Sequence, residues 1–522
     1  MIRINNIKVS LDTVDYRQVI SQKLNVSKNK IRDVKLVKKA VDARRKNKVH
    51  FACSFDFKID NEEHILKKYP KLQLKKVKPY HYPVLKSNDE HIVIVGSGPA
   101  GLFCAYNLAR AHQKVTLIER GSAVEKRKKD IDNFFKTGIL QPDSNVQFGE
   151  GGAGTFSDGK LTTGIKDIRK QFILETFVAH GANEDILYLN KPHVGTDYLI
   201  KVVKRMREKI IENGGEVLFD TQLVDIEIKN QQLATVKLNQ AGQIITLQPD
   251  KLILAIGHSA RDTYEMLHQR GLEMTAKPFA VGLRIEHLQS FINQHQYGKY
   301  ASHPALSAAD YKLAVKTNNG RGVYTFCMCP GGQVINSSSE PGGVVVNGMS
   351  NQARDDLHAN SAILVTVGID DFKDDHPLSG IVYQRELEHR AFILGGSDYR
   401  VPVMKIEDYL ETKMEHNIIQ GSVLPGTKLA DLNQLFSKDV NQALKEGLVL
   451  MEQKFSGFTS NALLSGVESR SSAPVKFFRD ETFQSNIKGI YPIGEGAGYA
   501  GGIMSSAIDG LKCSELILKR GD

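Results

Sequence analysis

The sequence predicts an α/β fold in which a Rossmann-like domain carries an inserted α+β domain and follows an N-terminal ferredoxin-like βαββαβ domain. A strand, a glycine-rich turn and a helix follow one another over residues 91–110. A second strand, glycine loop and helix close the chain over 489–518, and both units are typical of one doubly wound sheet. The predicted domains are 1–82 (ferredoxin-like, basic), 88–262 (Rossmann-like, with a β-meander), 263–465 (substrate or cap domain) and 466–522 (Rossmann-like, closing part).

The N-terminal domain is predicted from its apolar periodicity. Strand-like alternation occurs in "IRINNIKVSL", "KIRDVKLVKKAV", "KVHFACSFDFKI" and "KLQLKKVK". Helical spacing occurs in "DTVDYRQVISQKL", which opens with a capping Asp, and in "NEEHILKKY". The order βαββαβ predicts a ferredoxin-like domain, a fold that hosts many functions and therefore names none.

The positive charge of the chain is concentrated at this end. Residues 1–90 hold 22 Lys and Arg against 10 Asp and Glu, whereas the remaining residues hold 47 against 49. One interpretation is attraction to nucleic acid or another polyanion, and the other is a solvated basic surface. We favour the solvated surface, and with it a small-molecule substrate as the partner.

Composition places the chain among soluble globular proteins. It has 41% hydrophobic and 25% charged residues, no apolar signal-peptide core at the start, and no apolar run long enough to span a membrane. Five cysteines in 522 residues do not make a disulfide framework, so we expect a reducing, cytoplasmic location. Histidines at metal-ligand spacing, a nucleophile elbow and a Walker A loop are not found in the sequence.

The segment Gly96-Ser97-Gly98-Pro99-Ala100-Gly101 fits the dinucleotide-binding pattern G-x-G-x-x-G. It lies between the strand "IVIV" and the helix "AGLFCAYNLARA". The first glycine permits a tight turn, the second lets the backbone approach a pyrophosphate, and the third lets helix and strand pack closely. Glu119 ends the next strand, where its carboxylate can accept hydrogen bonds from ribose hydroxyls and would repel a 2′-phosphate. These features predict FAD or NAD as the ligand.

The late segment "YPIGEGAG" resembles the glutathione-reductase-type FAD superfamily, of the GR2 type. The resemblance implies that Gly494 and Glu495 contact the ribityl-phosphate part of FAD. It also implies that the helix after Gly501, Gly502 and Ile503 points its N-terminus at the pyrimidine edge of the flavin. The resemblance implies two further roles. Gly257 would lie where the chain returns to the FAD domain, and the backbone at Val224 would touch adenine.

Longer segments resemble a narrower family. "SNVQFGEGGAGTFSDGKL", "FAVGLRIEH", "FCMCPGG", "VESRSSAP" and "GEGAGYAGGIMSSA" are similar to bacterial FAD-dependent dehydrogenases that carry a ferredoxin-like N-terminal extension and whose substrate is unassigned. The resemblance implies FAD as cofactor. Because a second dinucleotide fingerprint is not found in the sequence, NAD(P)H is expected only as a transient electron donor, the other sources being the substrate itself or a partner protein.

The stretch "FGEGGAGTFSDGKL" (148–161) raises a separate question, because five of its residues are glycine. In the FAD superfamily a glycine-rich stretch runs beside the isoalloxazine ring. Backbone N–H groups at Gly151, Gly152 and Gly154 would then approach the ring, with Ser157 or Lys160 adding a polar contact. The predicted cofactor-binding residues are Gly96, Ser97, Gly98, Pro99, Ala100, Gly101, Glu119, Arg120, Gly151, Gly152, Gly154, Ser157, Val224, Gly257, Gly494, Glu495, Gly501, Gly502 and Ile503.

Two arginines and one lysine are candidates for contact with an anionic substrate. Arg470 either clamps a substrate carboxylate or phosphate, or forms a buried ion pair with Glu468 or Glu495. For Arg284 an ion pair with Glu286 is favoured. Lys160 either faces the flavin or an anion, or lies at the surface.

The two cysteines Cys327 and Cys329 are candidates for a redox role. If "YTFCM" is a strand, both thiols share one face and could relay electrons to the flavin. The alternative, which we favour, is that they are small buried apolar residues. Cys327, Cys329, Arg470 and Lys160 are the predicted catalytic residues.

Taken as a whole, the sequence predicts an FAD-dependent oxidoreductase that passes a hydride between flavin N5 and a small organic substrate. One alternative is an FAD-dependent enzyme that acts on RNA through the basic N-terminal domain. Another is a flavin redox sensor without turnover.

Overall fold

The computed structural model describes residues 1–78, 80–414 and 421–519. Its N-terminal domain is a four-stranded antiparallel sheet in the order β2-β3-β1-β4, with both helices packed on one face. This strand order confirms the predicted ferredoxin-like domain. The elements are β1 (Ile2–Val9), α1 (Tyr16–Leu24), β2 (Arg32–Asp42), β3 (His50–Lys58), α2 (Glu62–Lys68) and β4 (Leu74–Lys76).

The Rossmann-like domain begins with β5, which forms the centre of its parallel sheet. The elements of its first part are β5 (Ile92–Val95), α3 (Pro99–Arg110), β6 (Val115–Ile118), α4 (Val124–Thr137), α5 (Arg169–Ala179), α6 (Thr196–Glu212), β7 (Glu216–Leu218), β8 (Thr221–Lys229), β9 (Gln232–Gln240), β10 (Gln243–Leu247), β11 (Lys251–Leu254) and α7 (Arg261–Gln269). The strands β8, β9 and β10 form the predicted antiparallel meander.

The cap domain is built on a seven-stranded sheet in the order β14-β15-β18-β13-β21-β19-β20. Strand β21 belongs to this sheet and runs to Glu468, three residues beyond the boundary predicted at 465. The elements are β12 (Met274–Ala276), β13 (Phe279–Leu288), α8 (Gln289–Tyr297), β14 (Ala314–Lys316), β15 (Gly322–Cys329), β16 (Gln333–Asn336), β17 (Val346–Met349), β18 (His358–Val367), α9 (Ser379–Leu394), β19 (Val401–Lys405), α10 (Ile406–Glu411), β20 (Thr427–Leu429), α11 (Lys438–Glu452), β21 (Leu463–Glu468) and β22 (Val475–Phe477).

The chain then returns to the Rossmann-like domain through β23 (Ile490–Pro492) and α12 (Ile503–Lys519). Strand β23 completes the five-stranded parallel sheet β23-β11-β5-β6-β7. Helices α3 and α12 touch backbone to backbone, because a Cβ at Gly510 would lie 2.1 Å from the carbonyl oxygen of Ala100. A Cβ at Gly101 would likewise lie 1.9 Å from the carbonyl oxygen of Gly96, so the fingerprint glycine is required for helix and strand to pack.

The N-terminal domain docks on both of the other domains. The backbone of Lys39 in β2 exchanges hydrogen bonds with the segment 188–190, donating to Tyr188 O (2.7 Å) and accepting from Asn190 N (2.9 Å). Tyr300 and Leu306 of the cap domain pack against its apolar core. Within the described ranges, none of the helices combines the length and apolarity needed to cross a membrane.

Candidate active site

A cavity of about 670 Å³ lies between the Rossmann-like and cap domains, at the carboxyl ends of β5 and β11. This is where open parallel sheets hold their ligands. Its walls come from the fingerprint turn, the glycine-rich stretch, the start of α12 and the cap strand β15. The predicted site residues that line it are Gly96, Gly98, Pro99, Ala100, Glu119, Arg120, Gly152, Gly154, Ser157, Lys160, Gly257, Cys327, Arg470, Glu495, Gly501, Gly502 and Ile503.

The shape of this cavity fits FAD. A Cβ added at Gly257, Gly501 or Gly502 would meet no protein atom within 4 Å, so each of these glycines leaves space on the cavity side. The N-termini of α3 and α12 both open onto the same space, where the free N–H groups of a first helical turn favour anions or developing negative charge. A dinucleotide that lies across this space would therefore meet both helix N-termini.

In the described part of the chain, six of the predicted site residues do not line the cavity. Gly101 acts in packing, Ser97 and Gly151 join the loops to each other, and Gly494 donates its N–H to Asp509 (2.7 Å). The neighbours Thr221 and Leu223 line the wall at the start of β8, where Val224 was predicted to touch adenine. The sixth is Cys329, which is buried.

Glu119 is buried and holds the loops around the fingerprint turn. One carboxylate oxygen accepts from the N–H (2.9 Å) and hydroxyl (2.8 Å) of Ser97, and the other accepts from the N–H groups of Gly121 and Gly149 (3.0 Å each). It lines the cavity wall at the place predicted for a ribose contact. These four donors fill the acceptor positions of the carboxylate, so a ribose hydroxyl would bind there by displacing the hydroxyl of Ser97. The adjacent Arg120 lies over the ring of Phe148, with its guanidinium carbon 4.4 Å from the ring centroid.

The glycine-rich stretch packs directly on the fingerprint turn. The N–H of Gly151 donates to Ser97 O (3.0 Å), and a Cβ at Gly152 would lie 2.8 Å from the Cα of Gly98. Gly152 also has a φ of +66°, which disfavours any side chain. Gly154 faces Ile503, where a Cβ would lie 3.0 Å from the side chain. The stretch therefore contacts both the fingerprint turn and the start of α12.

Arg127 in α4 holds this stretch from beneath and was missed in the sequence. Its fully buried guanidinium donates five hydrogen bonds of 2.7–3.2 Å to backbone carbonyls, those of Asn145, Val146, Gly149, Glu150 and Gly152. Burial lowers the pKa of Arg127 to about 10, so the side chain stays charged at neutral pH. A signal was present, because Arg127 shares the apolar face of α4 with Val124, Ile131 and Phe134.

Glu495 lies in the cavity wall beside the start of α12. Burial raises the pKa of its carboxyl to about 7, and the Gly502 N–H and the charge of Lys277 offset only part of that effect. A carboxyl so placed changes its protonation state near neutral pH. Within the described part of the chain, no group of three or more His, Cys, Asp or Glu could hold a metal ion.

The two cysteines do not share a face, contrary to expectation. A bulge in β15 between Phe326 and Cys329 breaks the alternation, and Cys327 has a φ of +45°. Cys327 consequently lies in the cavity wall, whereas Cys329 is buried and accepts a hydrogen bond from Arg284 Nη2 at 3.4 Å. Burial raises the pKa of Cys329 to about 12, so its thiol stays protonated at neutral pH.

The predicted partner of Arg284 was wrong. Its guanidinium pairs with Glu468 (2.8 Å) on the neighbouring strand β21, and also donates to Asn360 Oδ1 (2.7 Å) and Cys327 O (2.8 Å). Residues two apart on one strand are separated by about 7 Å, so a cross-strand carboxylate is the closer partner. Glu286 accepts from Ser422 instead.

Arg470 forms a buried ion pair, but with neither predicted partner. Its guanidinium binds Glu388 of α9 through two bonds of 2.9 and 2.7 Å and donates to Ser259 (3.1 Å) and Ser339 (2.6 Å). Arg261 binds the same carboxylate at 2.7 and 2.9 Å. With Nε, Nη1 and Nη2 all engaged, Arg470 joins the cap to the Rossmann-like domain.

Lys160 is partly exposed in the cavity wall. Its ammonium group donates to the carbonyl of Met328 and lies 3.0 Å from Asp158. Burial alone would lower the pKa of Lys160, but the charge of Asp158 outweighs it, and the pKa lies above its ordinary value. The side chain is therefore a cation held beside Cys327, on the cap side of the cavity.

Three family descriptions match successive parts of the chain. A domain of unknown function matches residues 1–58, "Pyridine nucleotide-disulphide oxidoreductase" matches 90–274, and "FAD-dependent protein, C-terminal domain-like" matches 278–471. An uncharacterized protein of Clostridium beijerinckii is 45% identical over 534 residues, covering 100% of this chain and 99% of its own.

Solved structures show weaker likeness. A geranylgeranyl bacteriochlorophyll reductase-like protein of Thermoplasma acidophilum is 10% identical with a TM-score of 0.35, covering 83% of this chain and 79% of its own. Glycerol-3-phosphate dehydrogenase of Bacillus halodurans, complexed with FAD, is 9% identical with a TM-score of 0.34, covering 83% and 65%. At these scores neither likeness carries an argument.

Proposed function

Since the chain belongs to a family of bacterial FAD-dependent dehydrogenases, we propose that this oxidoreductase passes a hydride between flavin N5 and a small organic substrate held by the cap domain. The observation that carries the proposal is the single continuous cavity. One of its ends is the fingerprint turn and the other is formed by cap residues. FAD and a second molecule can therefore meet inside it.

The residues present would divide the cofactor between them. The N-terminus of α3 would hold the diphosphate, Glu119 the ribose, and Glu495 the ribityl chain, while the start of α12 would face the pyrimidine edge. Bound FAD would supply a two-electron acceptor or donor at N5. Arg127 would fix the backbone of the glycine-rich stretch beside the flavin ring, with no bulky side chain between them.

The cap side of the cavity would hold the substrate. Tyr311, Thr325 and Phe326 line it together with Cys327, giving mainly apolar surface with a few polar groups, as small-molecule sites have. Lys160 keeps its charge there and can bind an anionic group of the substrate or stabilise charge that develops on it. We assign Lys160 this electrostatic role.

Arg470 takes a positioning role in the proposal. Its donors are already engaged by Glu388, Ser259 and Ser339, so it would fix the cap over the flavin rather than clamp substrate. Cys327 is the only one of the two predicted thiols in the cavity wall as described, which argues against a dithiol relay.

The electron source is tested by anaerobic stopped-flow reduction of the FAD-loaded protein with NADH and with NADPH. Rapid bleaching of the flavin by either nucleotide identifies a reductase that uses a transient nicotinamide donor. If only an organic metabolite bleaches it, the protein is a substrate-driven dehydrogenase. A flavin that neither nicotinamide nor a metabolite panel reduces contradicts the proposal and favours a redox sensor.

A further inference from the structure

A second, smaller groove of about 320 Å³ lies beside the active-site cavity. One wall is the N-terminal sheet, through Arg3, Asn5, Lys38 and Ser54. The opposite wall is the Rossmann-like domain, through Lys170 of α5 and the segment 186–192. The groove therefore exists only because the N-terminal domain docks where it does.

The groove adjoins the active-site cavity. Thr162, Asn190 and Pro192 line both spaces. The segment that carries two of them is fixed to the edge of the N-terminal sheet by the hydrogen bonds between Lys39 and residues 188 and 190. A molecule longer than the cavity would reach the groove across these shared residues.

The sheet face that forms the groove wall is the one left uncovered by α1 and α2. Ile2, Ile4 and the buried phenylalanines of β3 point to the helices, so the alternating residues point away from them. Lys35 and Lys38 lie opposite Asp56 and Ser54 in the register of β2 with β3. Arg3 lies between Asp56 and Lys75.

The charge of the groove is positive. Its lining contains Arg3, Lys38 and Lys170 and, among the described residues, neither Asp nor Glu. Arg3 is paired with Asp56 at 2.6 and 2.8 Å. For Lys38 and Lys170 no ion pair is found in the described part of the chain, so two cations remain for a ligand.

We propose that this groove binds a phosphate-bearing end of the substrate while the reacting end lies in the cavity. The substrate class is then an elongated, phosphorylated organic molecule. The two unpaired lysines favour an anionic group, and a phosphate ester, with a charge of about −1.5 to −2 at neutral pH, matches both of them. The walls on two sides favour a small ligand over a polymer, because the basic face is turned toward the Rossmann-like domain. The inference rests on the proposed function, since it places the reacting end beside the flavin.

The test is calorimetric titration of FAD-loaded full-length protein with inorganic pyrophosphate. The groove variant is Lys38→Gln with Lys170→Gln. The matched control is Lys23→Gln with Lys30→Gln, two exposed lysines of the basic N-terminal domain, on α1 and the turn that follows it. We expect pyrophosphate to bind the wild type and the control equally, and the groove variant at least about tenfold more weakly.

Several results would overturn the inference. One is equal binding of pyrophosphate by the groove and control variants, and another is no binding by the wild type. A third is a wild type that binds tRNA but not pyrophosphate, with tRNA binding lost in the Lys38→Gln, Lys170→Gln variant. If the groove variant does not fold, the single variants Lys38→Gln and Lys170→Gln replace it, and each is expected to bind pyrophosphate more weakly than the control. FAD uptake, read by absorbance beforehand, tests the proposed function separately. If uptake fails, pyrophosphate can also bind at the empty α3 N-terminus in both variants. The groove is then decided by stoichiometry: the control should bind one more pyrophosphate per chain than the groove variant, and equal numbers would overturn the inference.

Discussion

Arg127 donates a hydrogen bond of 2.9 Å to the carbonyl of Gly152, the residue whose α-carbon faces Gly98 of the fingerprint turn. A buried cation on one helix thus sets the position of a loop that crosses the cofactor site. Gly149, Gly151 and Gly152 have no side chains to hold their part of the loop. The guanidinium replaces them by binding its backbone directly at five carbonyls.

Replacing Arg127 by Met is expected to loosen this loop and destabilise the protein. Five buried carbonyls lose their donors, and the free energy of unfolding should fall by about 3–5 kcal/mol, the range found when buried charged contacts are broken. Denaturant unfolding measures the loss. Lys129→Met, an exposed position on the same helix, is the control and should change stability by less than about 0.5 kcal/mol. Equal stability of the two variants would show that Arg127 does not hold the loop.

Glu388→Gln is expected to separate the cap from the Rossmann-like domain. The change leaves the buried guanidinium groups of Arg261 and Arg470 without their shared carboxylate, at a cost of about 3–5 kcal/mol. Thermal unfolding should show a large drop in Tm. Glu386→Gln, exposed on the same helix, should leave Tm nearly unchanged.

The same carboxylate gives a pH dependence of known sign. Burial opposes its ionisation, but the charges of Arg261 and Arg470 outweigh burial and hold the pKa of Glu388 far below its ordinary value. Its contribution to stability is therefore complete above the unfolded pKa of about 4.3 and is lost as the pH falls further. The difference in free energy of unfolding between the wild type and Glu388→Gln should shrink as the pH is lowered. A difference that stays constant down to low pH would contradict this.

For Glu495 we expect the opposite dependence of stability on pH in the protein free of FAD. Its folded pKa of about 7 lies above the unfolded value, so the folded state holds the extra proton and stability falls as the pH rises toward 7. Glu495→Gln removes this titration. Its Tm should exceed that of the wild type at pH 8 and match it near pH 4, and parallel Tm curves at all pH values would refute the account.

Cys327 is expected to be the one thiol that reacts in the native protein. It lies in the cavity wall, whereas Cys53, Cys104, Cys329 and Cys513 are buried. A disulfide reagent should therefore modify one thiol in the wild type and in Cys329→Ser, and none in Cys327→Ser. Two reactive thiols in the wild type would contradict this prediction and support a dithiol relay.

Local signals in the sequence predicted the architecture well. Two features depend only on residues close in sequence. These are the strand, turn and helix around Gly96 and the strand alternation in the first 80 residues, and both appear in the structure as expected. The contacts of Gly152 and Gly154 with Gly98 and Ile503 agree with the expectation that the glycine-rich stretch belongs to the cofactor site. Its contact with the flavin ring stays a prediction.

Pairings between distant segments could not be read from the sequence. Arg284 meets Glu468, and Arg470 meets Glu388, only because the cap strands and α9 assemble in one order. The bulge that turns Cys327 into the cavity depends on the partner strand β18 and has no local signature. Arg127 was different, since a lone Arg on the apolar face of α4 is visible in the pattern itself.

The central claim, that this cavity holds FAD, is tested most directly by titrating protein freed of flavin with FAD and measuring the stoichiometry and affinity. We predict one FAD per chain for the wild type and for Gly164→Ala, whose Cβ would lie in open space. Gly152→Ala should bind at least about tenfold more weakly, because its backbone strain and its contact with Gly98 both disturb the fingerprint turn. A wild type that neither retains nor takes up FAD would contradict the account.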